Sequence, residues 1–172
     1  MRATSYSEPG QNRKIAALSE LTCVHILFIL KIRKGVCVKE KIVKKLIELN
    51  NKAISDDEVP VSCIITKENK IISYAYNSKI KNKSPLDHAE VIAIKKAAKK
   101  LKTWNLNDCE LYVTLYPCDM CLSIINEARI KKVNYALNRT KKINNTVKIE
   151  KMETMEEPIL EQQLKDFFKN KR

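Results

Sequence analysis

Two short segments hold the side chains that are best suited to bind a metal ion. His88 and Glu90 stand two positions apart, and Cys118 and Cys121 are separated by two residues directly after a proline. Imidazole nitrogens and thiolates are the ligands that zinc prefers in proteins. His88, Cys118 and Cys121 are therefore the predicted ligands of one Zn²⁺ ion per chain.

Three protein ligands leave the fourth position of a tetrahedral zinc ion open, which is typical of a catalytic site. Glu90 would reach a water molecule there rather than the metal, so it is the predicted general acid and base. The alternative is a structural zinc site that a fourth ligand closes, for which Cys109 is the candidate. Cys109 falls on the inward face of a predicted strand, which favours a core position.

The apolar periodicity predicts the elements that must position these side chains. Predicted helices cover 39–52, 88–101, 117–129 and 152–170, and predicted strands cover 59–66, 70–76, 109–115 and 131–137. Both metal-binding segments then lie at helix starts, where the helix dipole favours a thiolate. With a further short strand before the last helix, the element order predicts an α/β fold, a three-layer α-β-α arrangement around a mixed five-stranded sheet.

Length and composition set the broader limits. The chain has 172 residues, a length that predicts one domain. Its net charge of +13 favours a polyanionic partner such as nucleic acid. A genome with a biased nucleotide composition would also produce many lysines, and the two explanations remain open. Both glycines, Gly10 and Gly35, precede the predicted domain, which excludes a glycine-rich phosphate loop within it.

Residues 38–172 are the predicted catalytic domain, and residues 1–37 are a predicted extension, either disordered or a targeting leader. The apolar run at 21–32 is about a dozen residues long, whereas a membrane-spanning helix needs roughly 20. No membrane association is therefore expected. The six cysteines are more consistent with free thiols and metal ligands in a reducing compartment than with disulfides, and the predicted location is cytoplasmic.

Residues 38–141 resemble bacterial tRNA-specific adenosine deaminases, members of the cytidine deaminase-like superfamily. H-x-E followed by P-C-x-x-C is the zinc signature of nucleobase deaminases. Other matching segments are Glu58-Val59-Pro60-Val61, Tyr76-Asn77, Thr103-Trp104-Asn105-Leu106, Leu111-Tyr112-Val113-Thr114-Leu115 and Asp166-Phe167-Phe168-Lys169. The resemblance implies a cytidine deaminase-like fold and a homodimer that converts the wobble adenosine of a tRNA anticodon loop to inosine. It also implies that Asn77 hydrogen-bonds the flipped nucleotide.

Several positions around the expected pocket differ from that family's usual pattern, namely Leu86, Asp87, Tyr116 and Arg139. They keep two alternatives open. The first is a deaminase of a free base or nucleoside, such as guanine or cytosine. The second is a zinc-stabilised RNA-binding module without catalysis, against which Glu90 argues because a structural zinc site has no use for that carboxylate.

Overall fold

The computed structural model describes residues 39–139 and 147–171, so the predicted extension at 1–37 lies outside the described residues. The elements are α1 (39–55), β1 (Ser62–Lys67), β2 (Lys70–Tyr76), α2 (Ala89–Leu101), β3 (Cys109–Leu115), α3 (Asp119–Glu127), β4 (Lys132–Leu137), β5 (Lys148–Lys151) and α4 (Glu157–Lys169). None of the helices in this part of the chain is long and apolar enough to cross a membrane.

The strands form one five-stranded sheet in the order β2-β1-β3-β4-β5. β1 runs antiparallel to β2 and β3, whereas β4 runs parallel to β3 and β5. The turn between β1 and β2 consists of Glu68 and Asn69, whose φ angles of 50° and 61° are typical of a tight hairpin turn that matches the twist of the strands. The predicted mixed five-stranded sheet is confirmed.

Helices cover both faces of the sheet because side chains alternate along each strand. Cys63 and Ile65 of β1 belong to the apolar core that includes residues of α2 and α3. Ser62 lies on the other face, where its hydroxyl donates to the backbone oxygen of Leu46 in α1 at 2.9 Å. α4 packs beside α1, since the amide of Asn50 donates to Gln163 at 3.1 Å. This confirms the three-layer α-β-α architecture.

Some element boundaries differ from the predicted ones, and prolines explain most of these differences. β1 begins at Ser62 instead of residue 59, because Pro60 has no N–H to donate to a neighbouring strand. α3 begins at Asp119 instead of residue 117, because Pro117 precedes the helix and Cys118 is its N-cap. α4 begins at Glu157 with Pro158 in its first turn, a position where the missing N–H costs nothing.

The topology gathers four connecting segments at one edge of the sheet. Leu115 and Leu137 are paired at the carboxyl ends of the parallel strands β3 and β4. β1 runs antiparallel to β3, so its first residue, Ser62, lies at the same edge and pairs with Tyr76 at the end of β2. The segments that follow β2, β3 and β4, together with the one that precedes β1, therefore meet there.

Candidate active site

The two predicted metal-binding segments meet at this edge. Nδ1 of His88 lies 3.7 Å from Sγ of Cys118 and 3.5 Å from Sγ of Cys121. All three ligand atoms lie within 4.8 Å of one another. Across residues 39–139 and 147–171, no other group of histidine, cysteine and acidic side chains is close enough to hold a metal ion.

The spacing of these atoms fits a tetrahedral zinc ion. Bond lengths of about 2.3 Å to sulfur and about 2.05 Å to nitrogen would place the two ligand atoms about 3.6 Å apart at the tetrahedral angle. The two measured nitrogen–sulfur distances of 3.7 and 3.5 Å lie on either side of that value. In addition, the buried Oε2 of Glu90 has no hydrogen-bond partner among the described residues, and a buried acceptor of this kind calls for a water or ligand beside it.

Helix starts present the ligands. His88 is the N-cap of α2 and Cys118 is the N-cap of α3, and neither side chain forms a hydrogen bond that caps its helix. Their backbone oxygens accept from Ile92 and Leu122, which closes the first turn of each helix. Cys121 follows three residues after Cys118, on the same side of the first turn. The side chains are thus free to bind a ligand while the backbone keeps its helical hydrogen bonds.

Burial and hydrogen bonding control protonation in this cluster. A hydrogen bond with the Cys121 thiol lowers the pKa of Cys118 to about 5, and the same contact raises the pKa of Cys121. Cys118 is therefore a thiolate at neutral pH, the form that binds metals. Burial raises the pKa of Glu90 to about 7, where a carboxyl group can both accept and return a proton near neutral pH.

A pocket with a cavity volume of about 220 Å³ opens onto the cluster. His88, Glu90 and Cys118 of the cluster line it. Its other lining residues are Val59, Val61, Asn77, Lys79, Leu115, Tyr116 and Arg139. A largely apolar surface with a few polar groups is typical of a site for a small ligand.

All five predicted site residues lie in or beside this pocket. His88, Glu90, Cys118 and Asn77 line it, and Cys121 completes the cluster from a fully buried position. Cys109 lies instead in the apolar core with 1% of its surface exposed. It begins β3, whereas the cluster lies beyond the other end of that strand, so Cys109 does not supply a fourth ligand.

The positions that differ from the resembling family divide into two groups. Tyr116 and Arg139 line the pocket. Leu86 is exposed outside it, and the Asp87 carboxylate accepts hydrogen bonds within its own loop from Asn82 at 2.6 Å and Ser84 at 3.2 Å.

Among the charged residues at the pocket, the sequence-based prediction gave no role to Lys79 in the lining or to the buried Glu58, which contacts Asn77. A glutamate directly before the apolar Val59-Pro60-Val61 was the available signal for the second.

The fold and the cluster define the class of protein, a cytidine deaminase-like α/β protein with a His-Cys-Cys site. The profile of the MafB19-like deaminase family matches residues 38–172. The chain belongs to this family.

Individual relatives agree with this assignment. The tRNA-specific adenosine deaminase of Aquifex aeolicus is 46% identical over 98 residues, which are 57% of this chain and 65% of the relative. The enzyme of the same name from Haemophilus influenzae is 31% identical over 148 residues, a match that covers 77% of this chain and 84% of the relative. This chain thus spans slightly less than two thirds of the Aquifex relative.

Among solved structures, guanine deaminase from Bacillus subtilis superimposes with a TM-score of 0.55 at 28% identity. The match covers 74% of this chain and 93% of that chain. The similarity to deaminases that the motifs predicted is confirmed.

Proposed function

We propose that this protein is a zinc-dependent hydrolytic deaminase that converts adenosine to inosine at the wobble position of a tRNA anticodon. The proposal depends above all on one observation, the His88, Cys118 and Cys121 cluster beside the buried Glu90 carboxylate. Zinc bound to such a site lowers the pKa of a water molecule from 15.7 to about 7 and so supplies the nucleophile.

Glu90 would transfer the protons of this reaction. Its carboxylate accepts one proton from the attacking water and gives it to a ring nitrogen, and it then accepts the second proton of the same oxygen and gives that one to the leaving amine. A carbon–oxygen bond forms and a carbon–nitrogen bond breaks, so adenosine and water become inosine and ammonia. The apolar side chains of Val59, Val61 and Leu115 line the pocket, where they would pack against the base and exclude bulk water.

The surface around the pocket supports a nucleic-acid substrate. Lys79 and Arg139 line the pocket and are exposed, and neither forms an ion pair with the residues that the structure describes. Two cationic side chains at this position are suited to the phosphates on either side of a flipped nucleotide. The net charge of +13 and the names of the curated relatives support the same substrate.

The direct test is an anticodon stem-loop of an arginine tRNA incubated with zinc-loaded protein and sequenced for inosine. We expect conversion at the wobble adenosine and none in a stem-loop that carries guanosine there. A parallel panel of adenosine, guanine and cytosine, assayed for ammonia release, tests the alternative suggested by the similarity to guanine deaminase. Ammonia from a free base without inosine in the stem-loop would contradict the tRNA substrate. A bound stem-loop without any product would indicate an RNA-binding module.

The charge at the pocket rim makes a separate prediction. We expect Arg139→Glu to weaken stem-loop binding and to reduce the slope of log affinity against log salt by about one. The matched control is Lys99→Glu, which makes the same change in charge on an exposed residue roughly 16 Å further along α2 from His88. Salt titrations of both variants check the result. If both variants weakened stem-loop binding equally, the net charge of the protein, and not the position of Arg139 at the pocket, would control binding.

We further propose that the protein is a cytoplasmic homodimer in which residues 38–172 form the deaminase domain. The range matched by the family profile supports this domain boundary. Light scattering measures the assembly, and a mass near the 19.8 kDa of one chain would contradict the dimer.

A further inference from the structure

Glu58 is a buried carboxylate that the metal cluster does not use. None of its surface is exposed, and no basic side chain among the described residues forms a salt bridge with it. Its Oε2 accepts a hydrogen bond from Nδ2 of Asn77 at 3.4 Å, and its Oε1 accepts one from the backbone N–H of Lys81 at 2.8 Å. A buried carboxyl group is costly unless hydrogen bonds replace the lost water, so these two contacts stabilise the Glu58 side chain in its buried position.

The contact with Glu58 determines how the Asn77 side chain is oriented. Nδ2 of Asn77 is the atom that faces the Glu58 carboxyl group, so Oδ1 on the other side of the planar amide is turned away from it. The backbone of Asn77 is held as well, because its N–H donates to the oxygen of Val61 at 2.9 Å. Asn77 lines the pocket and is 6% exposed. The amide oxygen therefore remains available to a ligand as an acceptor.

The second contact of Glu58 holds the segment that leads to the metal cluster. Lys81 lies in the connection between β2 and α2, which ends at His88. Within that connection, the N–H of Ser78 donates to the oxygen of Asp87 at 3.0 Å, and the N–H of Asn82 donates to the oxygen of Ser78 at 3.1 Å. Glu58 thus links Asn77 to the compact loop that presents the first metal-binding residue.

We propose that Glu58 is a positioning residue that holds Asn77 with its amide oxygen available to the pocket, so that the site takes a nucleotide presenting an N–H or O–H donor there. This inference rests on the proposed function, because it gives Asn77 a role in substrate binding. Glu58 itself does not touch the substrate.

Glu58→Gln is the most conservative test. The substituted side chain keeps its shape but replaces one acceptor oxygen with an NH₂ donor, so it can accept from Asn77 or from Lys81 but not from both. We expect KM to rise roughly tenfold with little change in kcat or zinc content, because one buried donor loses its partner. The matched control is Ser73→Ala, which removes another buried hydrogen bond, from Ser73 to the oxygen of Ala93 at 2.7 Å. It should affect stability without raising KM.

A reciprocal exchange separates positioning from a general loss of structure. Asn77→Asp alone places two carboxylates in contact and should raise KM by more than tenfold. Adding Glu58→Gln restores a donor–acceptor pair, since the new amide at position 58 can donate to the new carboxylate at position 77 and still accept from Lys81. We expect the KM of the double variant to return most of the way to the wild-type value. The proposal would be overturned if the two substitutions changed KM independently, so that their separate effects on the free energy of binding simply added in the double variant.

A second readout keeps this test independent of the proposed function. In isotope-labelled wild-type protein, the side-chain NH₂ protons of Asn77, assigned by their absence in Asn77→Ala, should exchange slowly with solvent. They should exchange faster in Glu58→Gln, and equal exchange rates would contradict the contact. A wild-type protein that deaminates no substrate would instead contradict the proposed function, whatever the exchange rates.

Discussion

Glu90→Gln should lower kcat by about a hundred- to ten-thousandfold, the usual contribution of a positioned general acid and base. The substituted amide has nearly the same shape but cannot take a proton from water and return it to the leaving amine. Zinc content should stay at one ion per chain, since Glu90 is not among the predicted ligands. The thermal unfolding temperature should not fall, because a neutral amide is less costly to bury than a carboxylate.

Single-turnover deamination and metal analysis of the same sample check this prediction. Glu127→Gln is the matched control, since Glu127 is exposed at the end of α3 and should keep the wild-type rate. An unchanged rate in Glu90→Gln would show that another group transfers the protons. Loss of zinc would show that Glu90 contributes to metal binding.

Cys118→Ala and His88→Ala should each abolish zinc binding at neutral pH and all deamination with it. Two remaining ligands cannot hold the ion in the three-ligand geometry that the distances fit, and the fourth position belongs to water. Both variants should also unfold at a lower temperature than the zinc-loaded wild type, because an ion that binds only the folded state stabilises it.

Cys109→Ala is the cysteine control. It removes a buried thiol from the core and should leave the zinc content at one ion per chain, even where stability falls. Treating the wild type with a chelator should remove the activity, and adding zinc should restore it. Retention of zinc in Cys118→Ala or His88→Ala, or two ions per wild-type chain, would refute the ligand assignment.

Local patterns in the sequence determined most of the elements and indicated the proposed reaction class. β2 and β3 have the bounds that the sequence predicted, since alternating apolar residues bounded by polar turns leave little choice of register. The chemistry was equally local. Cys118 and Cys121 are three residues apart at a helix start, and Glu90 is two residues from His88, so their types and spacing alone indicate a metal and a proton carrier.

Only the tertiary structure decided which distant residues share the pocket. Arg139 reaches the pocket because the parallel pairing of Leu115 with Leu137 brings the ends of β3 and β4 together. Glu58 meets Asn77 across 19 positions of sequence, a contact that depends on β1 and β2 forming a hairpin. No local pattern encodes such contacts, since they depend on the order of strands in the sheet. The sequence therefore determined the residues from which the reaction class is proposed, and the topology determined the pocket that would select its substrate.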